Sequence, residues 1–440
     1  MTKWLNEINQ RVIPERFCRE SSNNAKYRPL VALTFRSYTC AKLAGICDVA
    51  MKVLFVSRRN NQAKYFSTLK SVMPFESSVH IIGTKYYRTL YFWRFALEFN
   101  PSAVVSQQLE RRRKKFPRLL TTPIVAALYA RIIGFKERCR YAKYIALFKD
   151  ESPDYVGLWN GKKMPGVTIA RAAKDLSIAV FYFENGLLPG TCTLDDKGVN
   201  QDSSLPRNAG FYRSYPFASQ HKAINGIVQR PPLKRRKKAP PQSLPQHYVF
   251  VPFQVPDDTQ IVCHSPWIKN MEALFEAVME AFDQHTDRGD MQVVFKEHPS
   301  WPGHFEHLYE RHPAALFANG NTTPELIENS LGLITINSTV GLEGLILKKP
   351  VMTLGEACYR IDGLVLSADN QQQLNEGFEK LLSWSPDAEL RDRYLRFLNE
   401  VYCIPDKWST PGPQHFAAVA DRFLARDEFS QLALPGFNAG

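Results

Sequence analysis

Short apolar runs alternate with segments of helical spacing along this chain, and they do so twice, on either side of a proline-rich basic stretch. The first series opens at Met51 with MKVLFVSRRNNQAKYF, an apolar run that gives way to a polar turn, as the first strand of an α/β domain does. Runs at 79–82, 103–105, 155–158 and 178–183 follow as expected strands, with helical spacing at 119–135 and 167–176 between them. Strands alternating with helices imply a parallel sheet covered on both faces. The stretch at 230–246, RPPLKRRKKAPPQSLPQ, reads as a linker, because proline fixes φ and removes backbone donors. The alternation then restarts with strands expected at 248–253, 293–295, 333–336 and 351–354. Residues 266–282 have helical spacing through Trp267, Met271, Leu274, Phe275, Val278 and Phe282, and 416–424 read as an amphipathic helix. The expected fold is therefore α/β and GT-B-like: two Rossmann-like domains facing a central cleft, where a ligand sits beyond the carboxyl ends of the strands. Residues 1–50 show neither period, so they are expected to be a loose extension, with Met51 as an alternative start.

At 440 residues the chain is long enough for two domains, and 44% hydrophobic with 22% charged residues fits a soluble globular protein. No run of about 18 uncharged apolar residues occurs, so no transmembrane helix is expected. The nearest candidate, 119–135, is interrupted by Thr121, Thr122 and Arg131 and reads as a buried helix. The first residues lack the apolar core and cleavage site of a secretory signal. Eight scattered cysteines with no CxxC pair read as reduced cytoplasmic thiols, with no metal site. The charge is unevenly placed: residues 1–250 hold 42 Lys/Arg against 16 Asp/Glu, and residues 251–440 hold 14 against 27. Such a first half suits an anionic partner, either a membrane surface or nucleic acid. No zinc finger, aromatic RNA-binding signature or helix-turn-helix pattern is present, which favours the membrane; charge that only confers solubility is the remaining reading.

Four segments carry candidate chemistry. In FYFENGLLPGTCTLDDKGVN, from Phe181, an apolar strand ends in Glu184, and Asn185-Gly186 permits a tight turn. A carboxylate held there is placed for general acid/base work, or is a capping or surface residue. In FVPFQVPDDTQI, from Phe250, a strand leads to Gln254, Asp257 and Asp258. A carboxylate in a cleft loop serves either as a nucleophile in glycosyl transfer with retention or as the N-cap of the next helix. In VVFKEHPSW, Lys296 and His298 follow a buried strand that Pro299 terminates, and both could meet an anionic sugar or phosphate; a structural histidine is the alternative. In LITINSTVGLEGLILKKPVMTLG, Asn337, Ser338 and Thr339 precede a helix start, where hydroxyls and free N–H groups attract anions, and Glu343 lies one turn further on. An ordinary N-cap fits the same text. Neither GxGxxG nor GxxxxGK[ST] is present, which argues against NAD enzymes and P-loop kinases, and no DxD-type metal motif stands at a strand end.

Taken in order, FENG…TLDDKGVN, QVPDDTQI, KEHP and NSTVGLEGL…KKPV resemble the capsule polysaccharide biosynthesis and export family of the KpsS and KpsC type, over residues 51–364. The single FENG-containing unit is nearer the KpsS type than the two-module KpsC type. The resemblance implies a retaining β-Kdo glycosyltransferase without cofactor or metal. Residues 51–235 would form the acceptor side, 236–246 the linker, and 247–440 the nucleotide-sugar side. The donor would be CMP-Kdo, and the acceptor a lysophosphatidylglycerol-type lipid or the Kdo linker on it. The enzyme would act in the cytoplasm at the inner face of the inner membrane, with other capsule assembly proteins and no nucleic acid. Glu184 resembles the family's general acid/base and Asp258 its nucleophile, with Asp257 the fallback. His298 resembles the KxHP histidine near the donor, and Ser338, Thr339 and Glu343 the CMP-binding set. A different donor, or a non-catalytic export role, is the alternative.

Overall fold

The structure, a computed structural model, describes residues 51–83, 90–116, 120–217 and 239–432. Residues 1–50 and most of the basic stretch at 230–246 lie outside the described residues. In the first half, β1 (Lys52–Ser57), β2 (Glu76–Ile81), β3 (Tyr155–Trp159) and β4 (Ala179–Asn185) are parallel, and β5 (Cys192–Asp195) returns antiparallel to β4. Their spatial order is β2-β1-β3-β4-β5. The crossover helices are α1 (Asn60–Val72), α2 (Trp93–Glu98), α3 (Ser102–Lys115), α4 (Pro123–Glu151) and α5 (Gly166–Asp175). Val53 to Val56 are all buried, because β1 is central and covered on both faces.

After the short α6 (Ala209–Ser214), a second sheet forms from β6 (Tyr248–Pro252), β7 (Gln292–Lys296), β8 (Ala315–Phe317), β9 (Gly332–Thr335), β10 (Val351–Thr353) and β11 (Leu366–Ser367). Every neighbouring pair is parallel, in the order β11-β10-β9-β6-β7-β8. Helices α7 (Thr259–His264), α8 (Met271–Gln284), α9 (Thr323–Glu328), α10 (Val340–Ile346), α11 (Gln371–Ser383) and α12 (Ala388–Phe397) connect and cover it. Local capping starts several of them: Asn270 Oδ1 accepts from the Ala273 N–H at the head of α8, and Thr322 and Glu325 form a capping box on α9.

The two α/β halves of the expected fold are thus present, but β5, β8 and β11 were not expected, and two expected segments differ. Residues 103–105, expected as a strand, lie in α3; of the three only Val105 is buried, with Gln108 one turn on, and Arg112 to Lys115 form its basic C-terminal end. The helix expected at 119–135 is α4, which starts at Pro123 and runs to Glu151. It is buried only in its second part: residues 141–148 are fully covered, whereas Ile124, Leu128, Ile132 and Phe135 face outward.

Helix α13 (Pro413–Phe423) returns to the first sheet. Val419 and Phe423 join Val53, Phe55, Phe66 and Phe183 in one buried cluster, and the Phe423 ring lies 4.6 Å from Phe181 and 5.9 Å from Phe55. Large buried rings dominate core energetics. Phe423→Ala is expected to cost about 3–5 kcal/mol in urea unfolding, as full aromatic truncations in cores do. A loss below about 1 kcal/mol would mean that α13 does not hold the first sheet.

Candidate functional site

In a parallel sheet the direction of chain progression reverses at one point, and the crevice there opens beyond the carboxyl ends of the strands. The first sheet reverses between β1 and β3, and the second between β6 and β9. The segments that leave these four strands meet in one cavity of about 560 Å³, a size suited to a small-molecule ligand. Arg58 and Arg59 follow β1, Asn160 and Lys163 follow β3, Gln254 and Asp258 follow β6, and Ser338 and Thr339 follow β9. Glu184 enters from the end of β4 and His298 from just beyond β7.

On the first half, Glu184 is fixed by three donors. Its Oε2 accepts from Asn160 Nδ2 at 2.8 Å, and its Oε1 accepts from the Asn185 N–H and Nδ2 at 3.0 and 3.1 Å. Asn160 adopts a left-handed φ of 65°, a conformation that asparagine tolerates, and this turns its amide toward Glu184. Asn185 is tied on its other side by the Trp408 indole N–H at 2.9 Å, and Trp408 packs edge-on against Trp159. Gly186 closes the turn into β5: a Cβ there would stand 2.7 Å from the Thr191 carbonyl oxygen, so only glycine fits.

On the second half, Asp258 is the N-cap of its helix and also faces the first half. Its Oδ1 caps α7 by accepting from the Gln260 N–H at 3.1 Å, and its Oδ2 faces the first half and accepts from Lys163 Nζ at 3.1 Å. Burial disfavours its charge, but the Lys163 ammonium and the donors at Gln260 and Thr259 outweigh burial and hold the carboxyl below its ordinary range. Asp257 points elsewhere: it pairs with Arg111 at 3.4 Å and lines a neighbouring basic cavity, not the cleft. Gln254 and Asn337 latch β6 to β9, with Gln254 Nε2 donating to Asn337 Oδ1 at 2.9 Å and Gln254 Oε1 accepting from the Asn337 N–H at 3.1 Å. The remaining Asn337 amide hydrogens go to the carbonyls of Gln260 and His264, which fixes the loop that carries Asp258.

His298 lines the cleft and accepts through Nδ1 from the Ser300 N–H at 3.2 Å, which leaves the ring proton of the neutral form on Nε2. Ser338 and Thr339 also line it, at the start of α10. The structure does not bring Lys296 or Glu343 into the lining. Lys296 Nζ donates to the Asn319 carbonyl at 3.0 Å and so braces the loop after β8, and Glu343 lies within α10. Arg58, Arg59, Asn160, Lys163 and Trp408 were not singled out in the sequence. The first four occupy strand ends, so reading the polar residues after every strand, SRRN and WNGKK included, would have found them. Trp408 carries no such signal. Among the described residues no group of three or more His, Cys, Asp or Glu is placed to hold a metal ion.

A second polar contact links the two halves. His264 Nε2 and Nδ1 each lie 3.0 Å from a carboxylate, of Asp202 and Glu356 respectively, and Lys162 pairs with Asp202 at 2.8 Å. Burial lowers the His264 pKa, but the two carboxylates more than reverse this and raise it above the usual histidine value.

Comparison with known proteins gives four findings. The family model described as "Capsule polysaccharide biosynthesis protein" matches residues 212–404. Protein FixF of Sinorhizobium fredii is 35% identical over 320 residues, covering 71% of this chain and 75% of that protein. The capsule polysaccharide export protein KpsS of Escherichia coli is 26% identical, covering 52% of this chain and 72% of that protein. Among solved structures, the β-Kdo 2,7 transferase of Thermosulfurimonas dismutans KpsC aligns with a TM-score of 0.40 and 13% identity, covering 74% of this chain and 89% of that one.

A histidine whose folded pKa is raised adds stability that is complete below its unfolded value and is lost as pH rises through the folded value. The Tm of wild type should therefore exceed that of His264→Gln by about 2 °C below about pH 6.5, and the gap should close at alkaline pH. Thermal melts over a pH series check this. A gap that widens with rising pH would show that His264 sits between the carboxylates uncharged.

Proposed function

The chain belongs to the capsule polysaccharide biosynthesis family, and we propose that it is a glycosyltransferase that moves β-Kdo from CMP-Kdo, with retention, to a lysophosphatidylglycerol-type lipid or its Kdo linker. The observation that carries this reading is the meeting of Glu184, Asp258 and His298 in one cleft, although they stand on three different strand ends in two halves of the chain. A binding module has no need of two carboxylates held by dedicated donors on opposite walls; acid/base and nucleophilic chemistry does.

In the proposed mechanism an Asp258 carboxylate oxygen attacks the anomeric carbon. The bond from that carbon to the CMP phosphate oxygen breaks, and CMP leaves with the electron pair. An acceptor hydroxyl then attacks the same carbon, Glu184 takes its proton, and the bond to Asp258 breaks. Two inversions keep the configuration. The lowered pKa of Asp258 supports the first step, because the carboxylate is ionised at neutral pH. Its pairing with Lys163 fits a nucleophile that the donor uncovers on binding. Arg58, Arg59 and Lys163 of the basic half face the cleft with Ser338 and Thr339, and these groups would hold the phosphate and the sugar carboxylate. His298 Nε2–H would donate to the donor. Asn185 and Gly186 would shape the acceptor side, and Gln254 and Asn337 would position Asp258. Lys296 and Glu343 would act only through the segments they support. Work at the inner face of the inner membrane, alongside other capsule assembly proteins, belongs to the same proposal.

The test is CMP release from CMP-Kdo with and without a lysophosphatidylglycerol acceptor. Wild type is expected to show acceptor-dependent release. Asp258→Asn keeps a good helix cap and should leave the melting temperature nearly unchanged, while kcat falls at least about 10³-fold. Glu184→Gln should lower transfer by about 10²–10⁴-fold. Without acceptor, intact mass should show a Kdo adduct on wild type and none on Asp258→Asn. Identical masses would overturn the covalent step, and no release with any acceptor would overturn the transferase reading.

A further inference from the structure

Helix α3 belongs to the first half of the chain, yet one face of it lies against the second. Gln107, Arg111 and Lys114 stand at i, i+4 and i+7, which puts them on one side of the helix. Each of the three meets the second half. Gln107 Nε2 lies 2.9 Å from Cys263 Sγ on α7, Arg111 reaches Asp257, and Lys114 Nζ donates to the Lys269 carbonyl at 2.8 Å.

Arg111 engages all three guanidinium nitrogens. Its Nε donates to the Asp257 carbonyl at 2.8 Å, its Nη2 lies 3.4 Å from Asp257 Oδ2, and its Nη1 donates to Gln108 Oε1 at 3.3 Å. Gln108 is itself buried, and its Nε2 reaches the Tyr129 hydroxyl of α4 at 3.4 Å, so the guanidinium is oriented from within the first half. The bond to the carbonyl is the strong one: it is short and charge-assisted, whereas the carboxylate contact is long. That carbonyl is one end of the peptide group that joins Asp257 to Asp258. At the other end the Asp258 N–H donates to the Val255 carbonyl at 2.9 Å. A peptide group is planar, so holding both ends fixes its plane, and with it the direction in which Asp258 leaves the turn. The Asp258 side chain then has anchors of its own at Gln260 and Lys163. Arg111 and Asp257 line the neighbouring cavity and not the cleft, so Arg111 grips this turn from behind, away from the substrates.

We propose that Arg111 is a positioning residue for the Asp258 nucleophile: by clamping the preceding peptide from the opposite half, it sets the aim of the attacking carboxylate oxygen and makes that aim depend on contact between the halves. This rests on the transferase reading. Gln254 and Asn337 steady the same loop, but they belong to the second half and cannot register it against the first. Displacement at the anomeric carbon needs the reacting atoms aligned at about 3–3.5 Å, and an error of about 1 Å costs about 10²-fold in rate. Lysine would keep the charge of Arg111 but not its fork, because an ammonium is a point charge that cannot hold carbonyl and carboxylate in one fixed geometry.

The test uses the full chain and CMP-Kdo, with steady-state CMP release and, without acceptor, the rate at which the Kdo adduct forms. Arg111→Gln and Arg111→Lys should each lower kcat and adduct formation about 30–100-fold, with the KM for CMP-Kdo within about twofold of wild type and the melting temperature nearly unchanged. Arg111→Lys retains the charge and most of the stem, so it decides the matter should Arg111→Gln unfold. Lys114→Gln removes another bond between the halves from the same face of α3 and should stay within about twofold of wild type in every parameter. Wild-type kcat in a folded Arg111→Gln would overturn the inference and leave the transferase reading standing. So would a KM that rises while kcat holds, which would make Arg111 a donor-binding group, or full activity in Arg111→Lys, which would reduce its part to charge. An equal loss in Lys114→Gln would overturn it too, by making α3 a general strut. A wild type that forms no adduct would overturn both readings together.

Discussion

A strand in a parallel sheet delivers its carboxyl-terminal residues to the same edge as its neighbours, and this constraint organises the whole site. Chain direction reverses between β1 and β3 in one sheet and between β6 and β9 in the other, so adjacent loops there diverge and leave a crevice. The two crevices form one cavity. Glu184, Asp258, His298 and the 337–339 segment are far apart in sequence, yet each stands at or a few residues beyond the carboxyl end of a buried strand. Their convergence follows from topology and needs no long-range pairing of one motif with another.

The cavity is held by apolar packing and aligned by charge. Exposed or half-exposed ion pairs contribute about 0–1 kcal/mol each, so Lys163–Asp258, Arg111–Asp257 and Lys162–Asp202 do little for overall stability. Stability comes from clusters such as that of Phe55, Phe183 and Phe423, where α13 crosses back to the first sheet. The ion pairs instead set which loops face each other. In the first two, the cation comes from the basic half and the carboxylate from the acidic half. The uneven placement of 42 and 14 basic residues therefore serves the fold as well as any anionic partner.

Several residues carry two duties that seem exclusive when read singly. Asp258 caps α7 with one oxygen and faces the cleft with the other. Gln254 lines the cleft while its amide is spent on Asn337. Such sharing is economical in a loop of this length, because every buried backbone and side-chain polar group needs a partner. Helix α4 shows the same doubling on a larger scale: one helix supplies buried packing at 141–148, a cation-lined wall at 129–143, and an exposed apolar stripe at 124–135.

The sequence by itself determined the elements. Strand apolarity, its interruption by polar turns, and helical spacing are local properties, so the two α/β series, the strand-end motifs and a turn at 185–186 were legible. It also displayed the charge asymmetry, which is a count. What the sequence left open was decided by tertiary structure. A run of three apolar residues at 103–105 fits a strand or a helical face equally, and only its neighbours made it helix. Lys296 and His298 stand two residues apart, which a continued strand would put on one face; the strand ends at Lys296, which braces Asn319, and the turn beyond it delivers His298 to the cleft. Asp257 and Asp258 are adjacent and chemically identical, and the turn into α7 put one against Arg111 and the other against Lys163. Arg58 and Lys163 acquired meaning only when two sheet edges met. Direction in space, which separates these pairs, depends on partners far away in the chain, and no local pattern encodes it.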